Sequence, residues 1–289
     1  MTATETPATT PSHHWLVRSA GALPLAVLRA VGGLLGWVVY AASPTYRGRL
    51  VANLGQAGYG DAPAIRRRAI AEAGRMVAEL PWIWTHSPAD IERRMACDTL
   101  RVLHDAEAER RGILFLTPHL GGFEAAARYC AVHRPITVLF RKPKRPWLAA
   151  LVASARSCPG MQAVPVGAAG LRALLRALRS GAAVGVLPDQ VPGEGAGAWA
   201  PFFGRPAFTM SLPERLAAQT GAAVVLAVGE RLPGGQGWRL HLERMHEPPT
   251  PERLNHRLEG LIARLPGQYL WAYNRYKQPA GVAAPPVHG

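Results

Sequence analysis

The chain has 289 residues, of which 33 are Lys or Arg and 19 are Asp or Glu, so its formal net charge is +14. A hydrophobic fraction of 48% with only 18% charged residues excludes a disordered protein, and three cysteines without a CxxC pair support neither a disulfide scaffold nor a metal site. The length suits one α/β domain with a terminal appendage. A pI near 10.7 indicates a polyanionic partner, which could be nucleic acid, an anionic membrane surface or a phosphorylated substrate.

The N-terminal region combines a polar leader with a long apolar run. Residues 1–22 predict a flexible tail, and residues 23–45 predict a hydrophobic helix that anchors the chain in or on a membrane. About 20 apolar residues suffice to span a bilayer, but Arg29 interrupts this run, and a charge inside a span is costly. A cleaved signal peptide and a helix buried against the domain remain alternatives, whereas arginines on both sides of the run favour a helix on an anionic leaflet.

The rest of the chain alternates apolar runs with amphipathic segments. Arginines 66–68 on a predicted helix over 62–84 fit a solvated face better than a binding site. The other predicted elements are strands over 112–116, 136–140, 182–187, 222–228 and, near the sheet edge, 238–245, and helices over 171–178 and 254–265. This order predicts an α/β domain over 46–280 with a mixed, mostly parallel sheet flanked by helices, and a flexible tail over 281–289.

Two candidate catalytic side chains follow the first strand. In an open α/β sheet the active crevice lies beyond the carboxyl ends of the strands, and His119 and Glu124 come directly after the run 112–116. A tight bend at the intervening glycines would let Glu124 contact His119, fixing its tautomer and raising its basicity as a general base requires. The spacing alone fits a structural pair better than a catalytic one.

Further polar residues follow the other strands. Asp189 and Gln190 come after the run 182–187, which places an acid at a strand end again. Arg141 and Lys142 open a basic stretch over 141–145 that suits a phosphate or an acidic partner, with a solvated loop as the alternative. The glycine-rich segment 193–197 has neither a P-loop nor a dinucleotide pattern, so it predicts a turn or a lid.

An ordered series of sequence blocks resembles a known family, the lauroyl/myristoyl late acyltransferases of lipid A biosynthesis in Gram-negative bacteria. The resemblance extends from about residue 23 to the C-terminal region. The blocks are Asn53-Leu54, HLGGFE at 119–124, FRKPKRPW at 140–147, LPDQVPGEG at 187–195, PFFGRPAFTM at 201–210 and QYLWAYNRYK at 268–277. Where family members usually carry a bulky residue before the glutamate, Gly122-Phe123 stands here, a departure that bears on pocket shape.

This resemblance implies a glycerolipid-acyltransferase-like fold with an N-terminal membrane-associated helix, on the cytoplasmic face of the bacterial inner membrane. It implies transfer of a lauroyl or myristoyl chain from acyl carrier protein to a hydroxyl of a Kdo-bearing, bisphosphorylated lipid A precursor. The family's histidine falls on His119, its acidic partner on Glu124, and its site arginine and aspartate on Arg156 and Asp189. Partners would be the acyl carrier protein, the phosphorylated glycolipid and anionic membrane lipids, without any cofactor.

Three other functions are compatible with the sequence. An acyltransferase of the same family could act on another glycolipid or a polyene acceptor. A nucleic-acid-binding protein would explain the charge of +14, and the aromatic and basic residues over 271–277 are its best supporting segment. A catalytically silent membrane scaffold would tolerate substitution of His119, which an enzyme would not.

Overall fold

The computed structural model describes residues 14–140, 149, 151–152, 155–156 and 158–285. The helices are α1 His14–Gly21, α2 Leu25–Ala42, α3 Pro44–Gln56, α4 Pro63–Ala78, α5 Leu80–Thr85, α6 Pro88–Arg93, α7 Leu100–Ala108, α8 Phe123–His133, α9 Ala168–Arg179, α10 Leu212–Thr220 and α11 Pro251–Arg264. The strands are β1 Met95–Ala96, β2 Ile113–Leu116, β3 Ile136–Phe140, β4 Met161–Pro165, β5 Ala183–Val186, β6 Gly197–Phe202, β7 Arg205–Met210, β8 Ala223–Arg231 and β9 Trp238–Met245.

The centre of the fold is a seven-stranded sheet in the order β1-β9-β8-β2-β5-β3-β4. All neighbouring strands run parallel except β8 and β9. Every residue of β2 and β5 is buried, because helices cover both faces of the sheet. The α/β prediction and its mostly parallel sheet are therefore confirmed, with β9 separated from the edge only by the two-residue strand β1.

Two of the differences from the predicted elements concern a divided helix and an additional hairpin. The helix predicted over 62–84 is divided into α4 and α5. Pro81 lies in the first turn of α5, where its missing N–H costs no helical hydrogen bond, but it could not continue α4. The antiparallel hairpin of β6 and β7 forms a separate two-stranded sheet over a region for which no strand was predicted.

Helix α2 packs lengthwise on α4 through glycines. A Cβ atom on Gly36 would lie 2.3 Å from the carbonyl oxygen of Ile70, and one on Gly74 would lie 1.9 Å from that of Gly32. The two backbones therefore touch along one side of α2. Arg29 is buried on that side, 4% exposed, so the charge that interrupts the apolar run enters the domain. Helix α1 lies just before α2, within the segment for which a tail was predicted.

A pair of glycine-to-alanine changes tests this packing. Gly74→Ala is expected to lower the free energy of unfolding by about 1–3 kcal/mol, because the added methyl group overlaps α2. Gly48→Ala, on the exposed helix α3 with no atom within 4 Å of its Cβ position, is expected to raise it by about 0.5–1 kcal/mol. Urea unfolding of both variants measures the contrast, and shifts of the same sign would contradict the contact.

Candidate active site

Two neighbouring strands bring the candidate site together at their carboxyl ends. Leu116 of β2 is paired with Val186 of β5, and the N–H of Thr117 donates to the carbonyl of Val186 over 3.0 Å. The chain segments that leave both strands therefore start side by side. This arrangement places His119 next to Asp189, although 70 residues separate them in sequence.

Asp189 holds His119 through both of its carboxylate oxygens. The Nδ1 atom of His119 lies 2.8 Å from Oδ1 of Asp189, and the backbone N–H of His119 donates to Oδ2 over 2.9 Å. The side chain of Asp189 is only 4% exposed, and that of His119 is 15% exposed. A carboxylate against Nδ1 favours the tautomer with a proton there, so that Nε2 keeps its lone pair.

The environment of Asp189 keeps its carboxyl group ionised. Burial raises the pKa of Asp189, but the charge of His119 and the hydrogen bonds from its ring and backbone outweigh burial. The resulting pKa of Asp189 lies below its ordinary value. Asp189 therefore accepts hydrogen bonds from His119 and does not compete for the proton that the ring would move.

The pairing of Asp189 predicts how stability depends on pH. Because its pKa is lower in the folded protein, Asp189 adds stability above its ordinary value of 3.8, and this contribution is lost as the pH falls through the folded pKa. The difference in unfolding free energy between the wild type and Asp189→Asn is expected to shrink as the pH falls from about 5 into stronger acid. Denaturant unfolding over this range measures it; a difference that does not shrink would contradict the pairing.

The turn after β2 requires its two glycines. Gly121 has a φ of +60°, and a Cβ atom there would lie 2.1 Å from the carbonyl oxygen of Gly229. A Cβ atom on Gly122 would lie 2.2 Å from Nε1 of Trp238. Hydrogen bonds fix this turn, since the N–H of Gly122 donates to Gly229 over 2.7 Å and that of Gly121 to Gln268 over 3.1 Å. The bend that was expected at these glycines is present.

Glu124 does not make the contact with His119 that the sequence predicts. In the structure the imidazole of His119 is hydrogen-bonded to Asp189 instead. Glu124 opens α8, is buried, and accepts two hydrogen bonds from Arg156, one of them from Nε over 2.6 Å. Glu124 on α8 lies with Ile136 and Val138 of β3 in the lining of one cleft, whereas the ring of His119 contacts Asp189, which follows β5.

A cavity of about 310 Å³ opens beside His119. Nε2 of His119 lies 3.3 Å from the side-chain nitrogen of Gln190, and Arg156 lines the same cavity. A narrow apolar cleft shares Arg156 with this cavity and is also lined by Glu124. Most of the remaining cavity lining is aliphatic or aromatic: Leu139, Phe140, Val166, Val186, Leu187, Val191, Met210 and Leu212.

The structure thus brings together five of the predicted site residues in two pairs and one neighbour: His119 with Asp189, Glu124 with Arg156, and Gln190. Arg141 and Lys142 lie outside the described residues. The glycine-rich segment 193–197 contributes Gly193 and Ala196 to the cavity wall. These placements allow proton transfer at His119 beside a largely apolar cavity to which, among the described residues, Arg156 contributes a cation.

The C-terminal segment supports this site in a way that the sequence analysis did not assign. The N–H of Leu270 donates to the carbonyl of His119 over 3.1 Å, and the hydroxyl of Tyr273 accepts the N–H of Val191 over 2.9 Å. Asn53 donates to the carbonyls of Trp271 and Tyr273 over 2.6 and 2.9 Å. Both blocks, 53–54 and 268–277, are among those that resemble the family, and this resemblance is the sequence signal that could have pointed to their supporting role.

A family model and two relatives each match most of this chain. A family model described as bacterial lipid A biosynthesis acyltransferase matches residues 13–278. The chain is 29% identical over 225 residues to the lipid A biosynthesis lauroyltransferase of Escherichia coli K12, covering 72% of this chain and 70% of that protein. It is 28% identical over 210 residues to the lipid A biosynthesis palmitoleoyltransferase of the same strain, covering 70% and 67%.

Proposed function

The chain belongs to the family of bacterial lipid A biosynthesis acyltransferases, and on this premise we propose that it transfers a fatty acyl chain from acyl carrier protein to a hydroxyl of a Kdo-bearing lipid A precursor. The proposed acyl groups on the donor are lauroyl and myristoyl. The observation that carries the proposal is the imidazole of His119, held at Nδ1 by Asp189 over 2.8 Å, with Nε2 on the side of a largely apolar cavity.

In the proposed reaction His119 is the general base. Its Nε2 takes the proton of the acceptor hydroxyl as the oxygen attacks the thioester carbonyl carbon. The tetrahedral adduct then collapses with cleavage of the carbon–sulfur bond, and Nε2 returns the proton to the departing thiolate of the carrier. Asp189 stays ionised throughout and stabilises the imidazolium that forms between these two transfers.

Arg156 and Gln190 are proposed to contact the substrates. The guanidinium of Arg156 reaches the cavity of His119, where a fixed positive charge would stabilise the oxyanion of the tetrahedral adduct. Glu124 holds this guanidinium, so it acts as a positioning residue. The side-chain amide of Gln190, 3.3 Å from Nε2, would give way to the acceptor hydroxyl and hydrogen-bond to it.

The proposed acyl chain lies against the aliphatic wall of the cavity. That wall is formed chiefly by residues of β3, β5 and the segments that follow them, and burial of each methylene group there is worth about 0.8 kcal/mol. The narrow cleft towards Glu124 continues this apolar surface. The basic stretch that contains Arg141 and Lys142 is proposed to bind the acidic carrier protein or a lipid phosphate.

We place the protein on the cytoplasmic face of the inner membrane. Helix α2 is 18 residues long and apolar enough to span a bilayer by length and composition, with a third of it buried in the domain. Because α2 lies along α4, we propose that residues 23–45 anchor the chain within the interface of an anionic leaflet. The outward side chains that support this placement are Val27, Val31, Leu34, Leu35, Trp37, Val38 and Val39.

The experiment that tests this function offers the purified chain a panel of acyl donors. Lauroyl-, myristoyl- and palmitoleoyl-carrier proteins are each incubated with a tetra-acylated Kdo-lipid A precursor and, in parallel, with another glycolipid and a polyene acceptor, and the product mass is read. Addition of a single acyl chain from a carrier-protein donor is the expected result. Product only with another glycolipid or a polyene acceptor would replace the proposed acceptor, and no product with any donor would overturn the proposal.

A further inference from the structure

A second cavity of about 520 Å³ lies between α2, α4 and the end of β8. Its rim is formed by small, exposed residues, which are Ala26, Ala30, Pro233 and Gly234. Its floor is buried and charged, formed by Arg29, Glu72 and Arg231, which are 4%, 6% and 3% exposed. A charged floor beneath an open rim is unusual, because buried charges need partners or a ligand.

The charges of the floor do not balance. Arg231 pairs with both Glu72 and Glu79, the latter over 2.9 Å. Arg29 shares Glu79 over 3.0 Å, and Arg75 shares Glu72 over 2.6 Å. Three arginines therefore depend on two glutamates, which leaves an excess positive charge at a largely buried position.

This excess positive charge affects the pKa of Arg29. Burial lowers the pKa of Arg29, Glu79 raises it, and the like charge of Arg231 lowers it further, so that it lies below its ordinary value. The remaining donors of Arg29 bond to the carbonyls of Leu232 and Gly237 over 2.9 and 3.1 Å. An anion in the cavity would favour the charged form of both arginines.

Arg68 adds a further positive charge at the rim. Its aliphatic stem covers Gly267, whose Cβ position would lie 2.6 Å from Cδ of Arg68. Within the part of the chain that the structure describes, no hydrogen bond or ion pair involves its guanidinium. Arg68 lines the cavity and is exposed, so its donors are available to a ligand in the cavity.

The cavity opens beside the apolar surface of α2. Ala30 at the rim is a helical neighbour of Val27 and Leu34, which are 43% and 67% exposed. A ligand whose anionic head enters the cavity could therefore lay apolar chains along α2. Guanidinium groups match the geometry and charge of phosphate.

We propose that this cavity binds the phosphate group of an anionic lipid. The lipid would be either a phospholipid of the bilayer or the phosphorylated acceptor itself, since both present a phosphate beside acyl chains. Arg231 also donates from Nη2 to the carbonyl of Gly121 over 3.1 Å, so the bound phosphate would lie one side chain away from the turn that carries His119. This binding does not depend on acyl transfer.

Titration calorimetry of the full-length protein with dihexanoyl phosphatidic acid, without any acyl donor, tests the proposal. Arg68→Glu is expected to weaken binding at least about tenfold, because it places a negative charge at the rim. Arg67→Glu makes the same charge change at an exposed residue outside the cavity lining and is expected to change binding less than about twofold. Absence of binding to the wild type, or equal losses in both variants, would overturn the proposal.

Competition experiments separate the two sources of phosphate. Displacement of the probe by vesicles of phosphatidylcholine with phosphatidylglycerol, but not of phosphatidylcholine alone, identifies a bilayer phospholipid. Displacement by the dispersed bisphosphorylated precursor, but by neither vesicle, identifies the acceptor. If none of the three displaces the probe, neither a bilayer phospholipid nor the acceptor occupies the cavity and the proposal fails, whatever the outcome of the acyl-transfer assay.

Discussion

Replacement of His119 by alanine is expected to lower kcat for acyl transfer by about 10²- to 10⁴-fold, because the acceptor hydroxyl then loses its base. The effect is expected on kcat more than on KM, since in the proposed reaction Nε2 acts only as the proton moves, while the proposed acyl-chain contacts come from the apolar wall of the cavity. Steady-state rates with an acyl-carrier-protein donor at saturating acceptor measure it.

A control must show that a lower rate does not come from misfolding or from the loss of any histidine. His256 is exposed on α11, and His256→Ala is expected to keep the wild-type rate. Circular dichroism and the thermal midpoint establish that His119→Ala is folded. A folded His119→Ala variant with the rate of His256→Ala would remove His119 from the mechanism and favour a scaffold function.

Asp189→Asn is expected to have the second-largest effect, a loss in kcat of about 10²-fold or more. An asparagine can present its amide nitrogen to Nδ1 and stabilise the other tautomer, which removes the lone pair from Nε2. The backbone hydrogen bond from His119 to Asp189 over 2.9 Å would also weaken without the negative charge. The rate of product formation and its pH profile measure this loss.

Glu124→Gln is the matched change at the other buried carboxylate. Glutamine still accepts a hydrogen bond from Arg156 but no longer neutralises it, so the expected loss is smaller, about tenfold. Each variant removes one negative charge from a buried position. If Glu124→Gln had the larger effect and Asp189→Asn nearly none, the assignment of Glu124 as the orienting residue would be correct after all.

The sequence predicted the location of the site better than its internal pairing. Short apolar runs gave the buried strands, and the rule that active crevices lie at strand ends selected His119 and Asp189 independently. Nothing local could pair them, because adjacency of β2 and β5 depends on the strand order, which places β5 between β2 and β3. Spacing within one segment favoured Glu124 instead, and only the direction of its side chain on α8 shows why it binds Arg156.

Arg29 illustrates the same limit in the N-terminal helix. As part of an apolar run, it counted only as a cost of membrane insertion. Its partners Glu79, Leu232 and Gly237 come from distant parts of the chain, so its inward direction depends on tertiary packing. The glycines that allow α2 to reach α4 were visible in the sequence, but amino-acid type alone does not identify the surface that they contact.

In the proposed mechanism Asp189 holds His119 with a proton on Nδ1 and a free lone pair on Nε2. Imidazole nitrogen-15 NMR near neutral pH observes this directly, with the His119 signals identified by their loss in His119→Ala. We expect the Nδ1-protonated tautomer in the wild type and in Glu124→Gln, and its loss in Asp189→Asn. A proton on Nε2 in the wild type, or an Nδ1 proton that depends on Glu124 and not on Asp189, would contradict it.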